Sequence, residues 1–169
     1  MHLSSKWIGE FRCTTVRRVS ILGTLIDFRL DREALEGLRE HKRARNFYRL
    51  EATISVEHEY RGAQYGHPST YAFARFECAP ADDLSFETRA SWPPTMDKQE
   101  RIGLERAIAE GVADVLLSGI YQHSGCSVAL VEVRWDDICS SEAAFMKAAN
   151  SAMRDLLAAQ WKVIIKKQQ

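Results

Sequence analysis

Residues 50–60 read LEATISVEHEY, and this stretch decides the fold because apolar and polar side chains alternate along it. Ile54, Val56 and Tyr60 share one side, and the glutamates fall on the other, which is typical of a half-buried strand. Residues 61–68 read RGAQYGHP, and their two glycines and proline favour a turn. Strand-like composition resumes over 70–78. The stretch therefore predicts a β-hairpin.

The segment after the hairpin continues with a third strand and a helix. Residues 84–90 alternate again, which predicts a strand antiparallel to its predecessor, and Trp92-Pro93-Pro94 ends it. Either Thr95 or Asp97 can cap a helix whose apolar side chains recur at helical spacing as far as residues 118–119.

A fourth strand and a second helix complete the pattern. Residues 127–135 are rich in β-branched side chains, and the serines and glutamate of residues 140–142 suit a helix start. Phe145 and the alanines after it form one apolar stripe. The order β-β-β-α-β-α predicts an α+β domain, a two-layer sandwich in which two helices cover a four-stranded sheet.

Length and composition bound the function. The chain has 169 residues and zero formal net charge, so one domain is expected and any attraction to nucleic acid must come from local clusters. Its four cysteines are scattered without metal-binding spacing, and the start does not resemble a secretion signal. Apolar runs fall short of the ~20 residues that span a membrane. We expect a cytoplasmic protein with reduced thiols.

Residues able to do chemistry are few. His67 stands beside a predicted turn, but no nucleophile accompanies it, so a structural role is favoured over catalysis. Asp136, Asp137 and Glu142 are better explained as a turn and a helix cap than as an ion site. The chain contains no phosphate-loop motif. We expect no enzyme activity, cofactor, metal or nucleotide.

The strongest candidate for contact with nucleic acid is a basic cluster within residues 39–49, which includes Arg43 and Arg45 and is interleaved with Phe47 and Tyr48. Arginines pair with phosphates, and exposed aromatic rings stack on unpaired bases. A solvated helix face is the alternative explanation of such a charge run. Arg61 and the lysines of the C-terminal tail are candidates to extend the same surface.

Two separated motifs resemble one known family. Residues 61–67 read RGAQYGH, residues 139–145 read CSSEAAF, and a helix rich in small residues follows at 147–153. This order is similar to the fourth domain of elongation factor G, whose stretches read roughly G-x-G-Q-Y-G-H and D-S-S-E-x-A-F. The likeness runs from about residue 50 to 157. It implies the ribosomal protein S5 domain 2-like fold, with its left-handed βαβ crossover.

In that family, three loop tips of this domain reach transfer RNA and messenger RNA. They correspond here to residues 61–67, 118–126 and 135–140. The first loop retains the motif except that Ala63 replaces the family's glycine. The second loop lacks the proline of its tip. The third loop is short and lacks the histidine that contacts transfer RNA in the family. The resemblance and the basic cluster together give the expected RNA-contacting residues: Arg43, Arg45, Arg61, Gln64, Tyr65, His67 and His123.

We therefore divide the chain into an N-terminal strand and helix extension of unknown role (1–49), a domain similar to elongation factor G domain IV (50–160) and a short basic tail (161–169). The extension could pack on the domain, replace contacts of the absent translocase domains, or form a dimer through an added strand. The sequence leaves two hypotheses for the function. One is a non-enzymatic domain that binds the ribosome or structured RNA. The other is a protein-interaction or homodimeric module that has kept the fold and lost its RNA-contacting tips.

Overall fold

The computed structural model describes residues 28–30, 33, 35, 46–64, 67–117, 125–159 and 162–165, which form a mixed α/β fold. Its strands and helices are, in chain order, β1 (Phe28–Leu30), β2 (Asn46–Arg49), β3 (Ile54–Gln64), β4 (His67–Pro80), β5 (Leu84–Thr88), α1 (Lys98–Leu117), β6 (Cys126–Arg134), α2 (Glu142–Ala159) and β7 (Lys162–Ile165). The predicted hairpin is confirmed as β3 and β4, which pair antiparallel.

The main sheet has five strands in the order β1-β5-β6-β4-β3, so the prediction of four strands was wrong. The additional strand is β1, which comes from the segment expected to be an extension and pairs Phe28 with Phe86 and Leu30 with Leu84. Leu35 is also buried in the core. Part of residues 1–49 therefore packs on the domain, where β1 covers an edge of β5 that would otherwise leave backbone groups unpaired.

The third predicted strand, β5, runs in the expected direction but is not a neighbour of β4. Strand β6 lies between them, antiparallel to β4 and parallel to β5. The three residues 81–83 therefore cross two strand spacings, ~10 Å. Hydrophobic alternation sets which face of a strand is buried but not which strand lies beside it, so this order could not be predicted from the pattern.

A separate two-stranded sheet links the end of the expected extension to the expected tail. Strand β2 pairs antiparallel with β7, with Asn46 opposite Ile165 and Arg49 opposite Lys162. Part of the expected basic tail is thus a strand, and it is bound to the last residues of the expected extension.

Both helices begin at caps that the sequence predicts. The Asp97 carboxylate accepts hydrogen bonds from the backbone N–H groups of Gln99 (2.7 Å) and Glu100 (3.2 Å). The Ser141 hydroxyl accepts one from the N–H of Ala144 at 3.2 Å. These bonds satisfy donors that have no partner inside the helix.

The helices cover one face of the main sheet and enclose the core. Phe76, Phe86 and Leu130 of the sheet and Ile108 and Phe145 of the helices are fully buried in one cluster. The helices touch closely at Gly111, where a Cβ atom would lie 2.7 Å from the Met146 carbonyl oxygen and 2.9 Å from the Ala149 Cβ. Small residues on both helices allow this approach. Neither of these helices is long and apolar enough to cross a membrane.

Candidate functional site

The β3–β4 hairpin projects beyond the rest of the sheet. Strand β6 ends at Arg134, opposite Phe73, whereas the hairpin continues to a pair formed by Gln64 and His67. The six residues of β4 that precede Phe73 extend it by roughly 20 Å. Of the expected RNA-contacting residues, Gln64 and His67 therefore flank the turn, while Tyr65 lies outside the described residues, as do Arg43 and Arg45.

Arg61 presents a cation on this projection. Its side chain is 73% exposed, pairs with Glu59 and lies over the Tyr71 ring, 5.4 Å from the ring centre. The hydrogen bond to Glu59 and the charge of that carboxylate raise the pKa of Arg61 above its usual value. Arginine is charged at neutral pH in any case, so the important effect is positional: both neighbours restrict where the guanidinium points.

The turn between β6 and α2 is fastened to the base of the projection. The Tyr71 N–H donates to the Cys139 carbonyl oxygen (2.9 Å), and the Ser140 hydroxyl donates to the Tyr71 carbonyl oxygen (2.8 Å). Two segments 69 residues apart in sequence thus form one structure. We call this structure the hairpin end: residues 61–71 and the turn at residues 135–140.

Hydrogen bonds within the turn fix its conformation. The Asp136 carboxylate accepts from the N–H groups of Ile138 (3.0 Å) and Cys139 (2.9 Å). The Ser140 N–H donates to the Asp136 carbonyl oxygen (2.9 Å), and the Asp136 N–H donates to the Ser140 hydroxyl (3.0 Å). This confirms the prediction that Asp136 belongs to a turn. Since these bonds favour the charged form, they lower the pKa of Asp136.

Cys139 is a partly exposed free thiol in the same turn. Partial burial is the main cause that raises its pKa, and the nearby carboxylates of Asp136 and Asp137 act in the same direction. The thiol is therefore kept protonated, which makes it a weak nucleophile. Among the described residues, no group of three His, Cys, Asp or Glu side chains is placed to hold a metal ion.

The second expected contact loop returns to the opposite end of the sheet. Cys126 starts β6 opposite Pro80 and Leu84, and its N–H donates to the Asp83 carbonyl oxygen at 2.8 Å. Gly125 has a φ of +141°, a conformation that favours glycine. From Cys126 to Arg134, β6 runs about 26 Å. The described end of this loop is thus remote from the hairpin end, and His123 lies outside the described residues.

The sheet face that the helices leave uncovered, which we call the open face, carries balanced charge. Each of five arginines on or beside this face contacts a carboxylate, and such exposed pairs contribute little stability. They are Arg29–Asp83, Arg61–Glu59, Arg75–Glu57, Arg75–Glu132, Arg89–Glu77, Arg89–Glu87 and Arg134–Glu132. A face neutralised in this way does not attract phosphates strongly.

Two residues of the hairpin end were not predicted from the sequence. The sequence indicated only that Tyr71 is a strand residue. In the structure its backbone hydrogen-bonds to the turn and its ring lies under the Arg61 guanidinium. Ile138, in the turn, is 75% exposed. Among the described residues, no other large hydrophobic side chain is classed as exposed. The sequence does contain a signal for the exposed Ile138, because an isoleucine stands between Asp137 and Cys139 within a predicted turn.

No known protein family matches this chain, and no protein of curated function is significantly similar to it in sequence. Solved structures do match, 54 chains in all. One is the crystal structure of a protein from Thermus thermophilus, 20% identical, with a TM-score of 0.52. The match covers 70% of this chain and 18% of that chain, so it involves one part of a much longer protein. At this identity the likeness shows the fold alone.

Proposed function

We propose that this protein is a non-enzymatic, translation-factor-like domain of the cytoplasm that binds the ribosome or another structured RNA through its hairpin end. The observation that carries the proposal is the projecting hairpin, which holds the exposed Arg61 at its base and the pair Gln64 and His67 beside its turn. A narrow arm of this kind reaches into grooves that a flat sheet face cannot enter.

Three further observations support this proposal. The motif that resembles elongation factor G domain IV falls on the hairpin turn, where that family has an RNA-reaching loop. The open face is charge-balanced, so attraction to phosphates is left to the basic cluster of residues 39–49 and to Arg61, which exchanges Glu59 for a phosphate on binding. The ribosomal protein S5 domain 2-like fold is part of the same proposal, and it is supported by the parallel neighbours β5 and β6, which α1 connects as a βαβ unit.

The test is co-sedimentation with ribosomes and ribosomal subunits across a salt series. Arg61→Glu should weaken binding several-fold and make the salt dependence shallower, by about 0.7–0.9 in the logarithmic slope for one lost phosphate contact. The matched control is Arg89→Glu, since Arg89 is also exposed and paired with glutamates but lies at β5 on the open face. Glu59→Gln should strengthen binding, because it releases Arg61 from its carboxylate.

Equal losses from the Arg61 and Arg89 variants, or no binding at low salt, would contradict the proposal. A combined Arg43→Glu/Arg45→Glu variant then separates the contribution of the basic cluster from that of the hairpin.

The second candidate function is a homo-oligomerising or protein-interaction module. Strand β3 favours this second function. It is an 11-residue edge strand, and no described strand pairs with its outer side. Its core-facing side chains Ile54, Val56 and Tyr60 are only partly buried. Sedimentation equilibrium between micromolar and millimolar concentration decides this point. A dimer that Val56→Lys dissociates would favour the second function, and a monomer throughout would remove its homo-oligomeric form.

A further inference from the structure

The outer side of α2 carries two cations without carboxylate partners. Lys147 and Arg154 are both exposed, and because they stand two helical turns apart they lie on the same side of the helix. Among the described residues, no carboxylate lies within ion-pair distance of either side chain. The arginines of the open face differ, since each of them contacts a carboxylate.

Lys147 connects this side of α2 to the hairpin end. Its Nζ donates a hydrogen bond to the Tyr60 hydroxyl (3.1 Å) and lies 5.0 Å from the centre of the Tyr60 ring. That hydroxyl lies beside Gly62, where a Cβ atom would be 2.9 Å from it. Tyr60 and Arg61 are consecutive residues of a strand, so their side chains point to opposite faces. The base of the projecting hairpin therefore has a cation on each face.

The two acidic residues of α2 do not cancel this charge. The Glu142 carboxylate is turned toward α1, where it occupies the space that a Cβ atom on Gly103 would need. Asp155 follows Arg154, but its Oδ2 lies 3.6 Å from the His58 Nδ1 of β3. Together, Lys147, Arg154 and Asp155 leave the outer side of α2 with a net positive charge.

The exposed side of α1 has the opposite charge. Arg106 is exposed there, and Glu110 and Asp114 follow it at intervals of four residues, so all three share one side of the helix. Two carboxylates against one guanidinium repel a phosphate backbone. Of the two helices, α2 is therefore the one whose exposed side attracts nucleic acid.

The far end of α2 leads to the basic cluster of residues 39–49. Helix α2 ends at Ala159 and β7 begins at Lys162, whose partner in β2 is Arg49. Arg49 is exposed and is the last residue of that cluster. Between Lys147 and Ala159 the helix rises about 18 Å. Helix α2 thus spans the distance between the hairpin end and the strand in which the basic cluster ends.

We propose that Lys147 and Arg154 bind phosphates of the same RNA that Arg61 contacts. One RNA backbone then runs along α2, from the hairpin end to the basic cluster that ends at Arg49. This inference rests on the proposed function and extends it, because the RNA must present a backbone segment of about 18 Å beside the site that receives the hairpin. Contacts to phosphates fix position and carry no sequence information, so α2 contributes affinity and orientation.

The first test is co-sedimentation of the full chain with ribosomal subunits across a salt series. Lys147→Glu and Arg154→Glu should each weaken binding several-fold and lower the logarithmic salt slope by about 0.7–0.9, as expected for one lost phosphate contact. Lys147→Arg should retain the affinity, since it keeps the cation. The matched control is Arg106→Glu, which makes the same charge change on an exposed helix position of α1 and should alter neither quantity. Thermal unfolding checks that each variant is folded.

The Arg61→Glu variant separates this inference from the proposed function. If Arg61→Glu weakens binding while the Lys147 and Arg154 variants behave like Arg106→Glu, the path along α2 is wrong and the RNA-binding hairpin stands. If the unaltered protein does not bind at low salt, both proposals fail.

The second test identifies what lies on α2. The photoreactive residue benzoylphenylalanine replaces Ala158, which is exposed one turn beyond Arg154, and in a control protein it replaces the partly exposed Ala113 of α1. After irradiation with ribosomal subunits, we expect crosslinks to ribosomal RNA from position 158 and none from position 113. Crosslinks from position 158 to proteins alone, or equal crosslinking to RNA from both positions, would overturn the inference.

Discussion

The two faces of the main sheet are built from the same strands but are stabilised differently. On the helix-covered face, Phe76 of β4 is fully buried among apolar side chains. On the open face, Phe73 of the same strand is only 4% exposed, yet what covers it is the Arg134 guanidinium, 4.1 Å from its ring centre. One face excludes water with helices, and the other remains polar under charged side chains. Stability therefore resides mainly on the first face.

The largest expected effect tests this difference within one strand. Phe76→Ala should lower the free energy of unfolding by about 3–5 kcal/mol, because it leaves a cavity in the core. Phe73→Ala should lower it less, on the order of 1–2 kcal/mol, because water and Arg134 can occupy the vacated space. Urea denaturation of both variants gives the two values. Equal losses would show that the open face is as well packed as the core.

A smaller effect is expected where the two helices meet. Gly111→Ala should destabilise the protein by about 1–3 kcal/mol, since its Cβ would press on the Met146 carbonyl oxygen and on Ala149. Gly103→Ala in the same helix is the matched control, because its Cβ would meet only the movable carboxylate of Glu142. There, the better helix propensity of alanine should add about 0.5–1 kcal/mol. If both substitutions stabilise the protein, the helices are free to separate at Gly111.

The smallest effect concerns the turn at the hairpin end and should appear on acidification. Because the folded turn lowers the pKa of Asp136, its contribution is complete above the pKa of an unfolded aspartate, about 3.9, and is lost as the pH falls through the lower folded value. The amide NMR signals of Ile138 and Cys139 should shift with a midpoint below about 3.9. Asp136→Asn should abolish this titration, and a midpoint at or above that value would show that the carboxylate does not hold the turn.

The local elements of the domain could be predicted from the sequence. The hairpin and both helices follow from alternation and helical spacing, and each observed cap, Asp97 and Ser141, is one of two candidates that the sequence offers for its helix. These signals are local, so they need no knowledge of what packs against them. The strand count failed because the N-terminal strand was expected in a separate extension, and no local signal shows that β1 pairs with β5.

The candidate site could be predicted only in part. Arg61, Gln64 and His67 were chosen from a motif, and the structure describes where their backbone lies. The roles of Tyr71 and Ile138 depend on hydrogen bonds between residues about 70 positions apart, which no pattern of spacing contains. Whether Arg61 shares a surface with Arg43 and Arg45 stays a prediction.

The sequence by itself determined the strands and helices of the domain, the faces that its strands bury and the hairpin that carries the 61–67 motif, because each depends on neighbours along the chain. Only the tertiary structure decided that β6 separates β4 from β5, that charges cancel across the open face, and that Tyr71 fixes the turn displaying Ile138. These features arise between strands that meet after folding, where pairing and packing of distant segments set the distances.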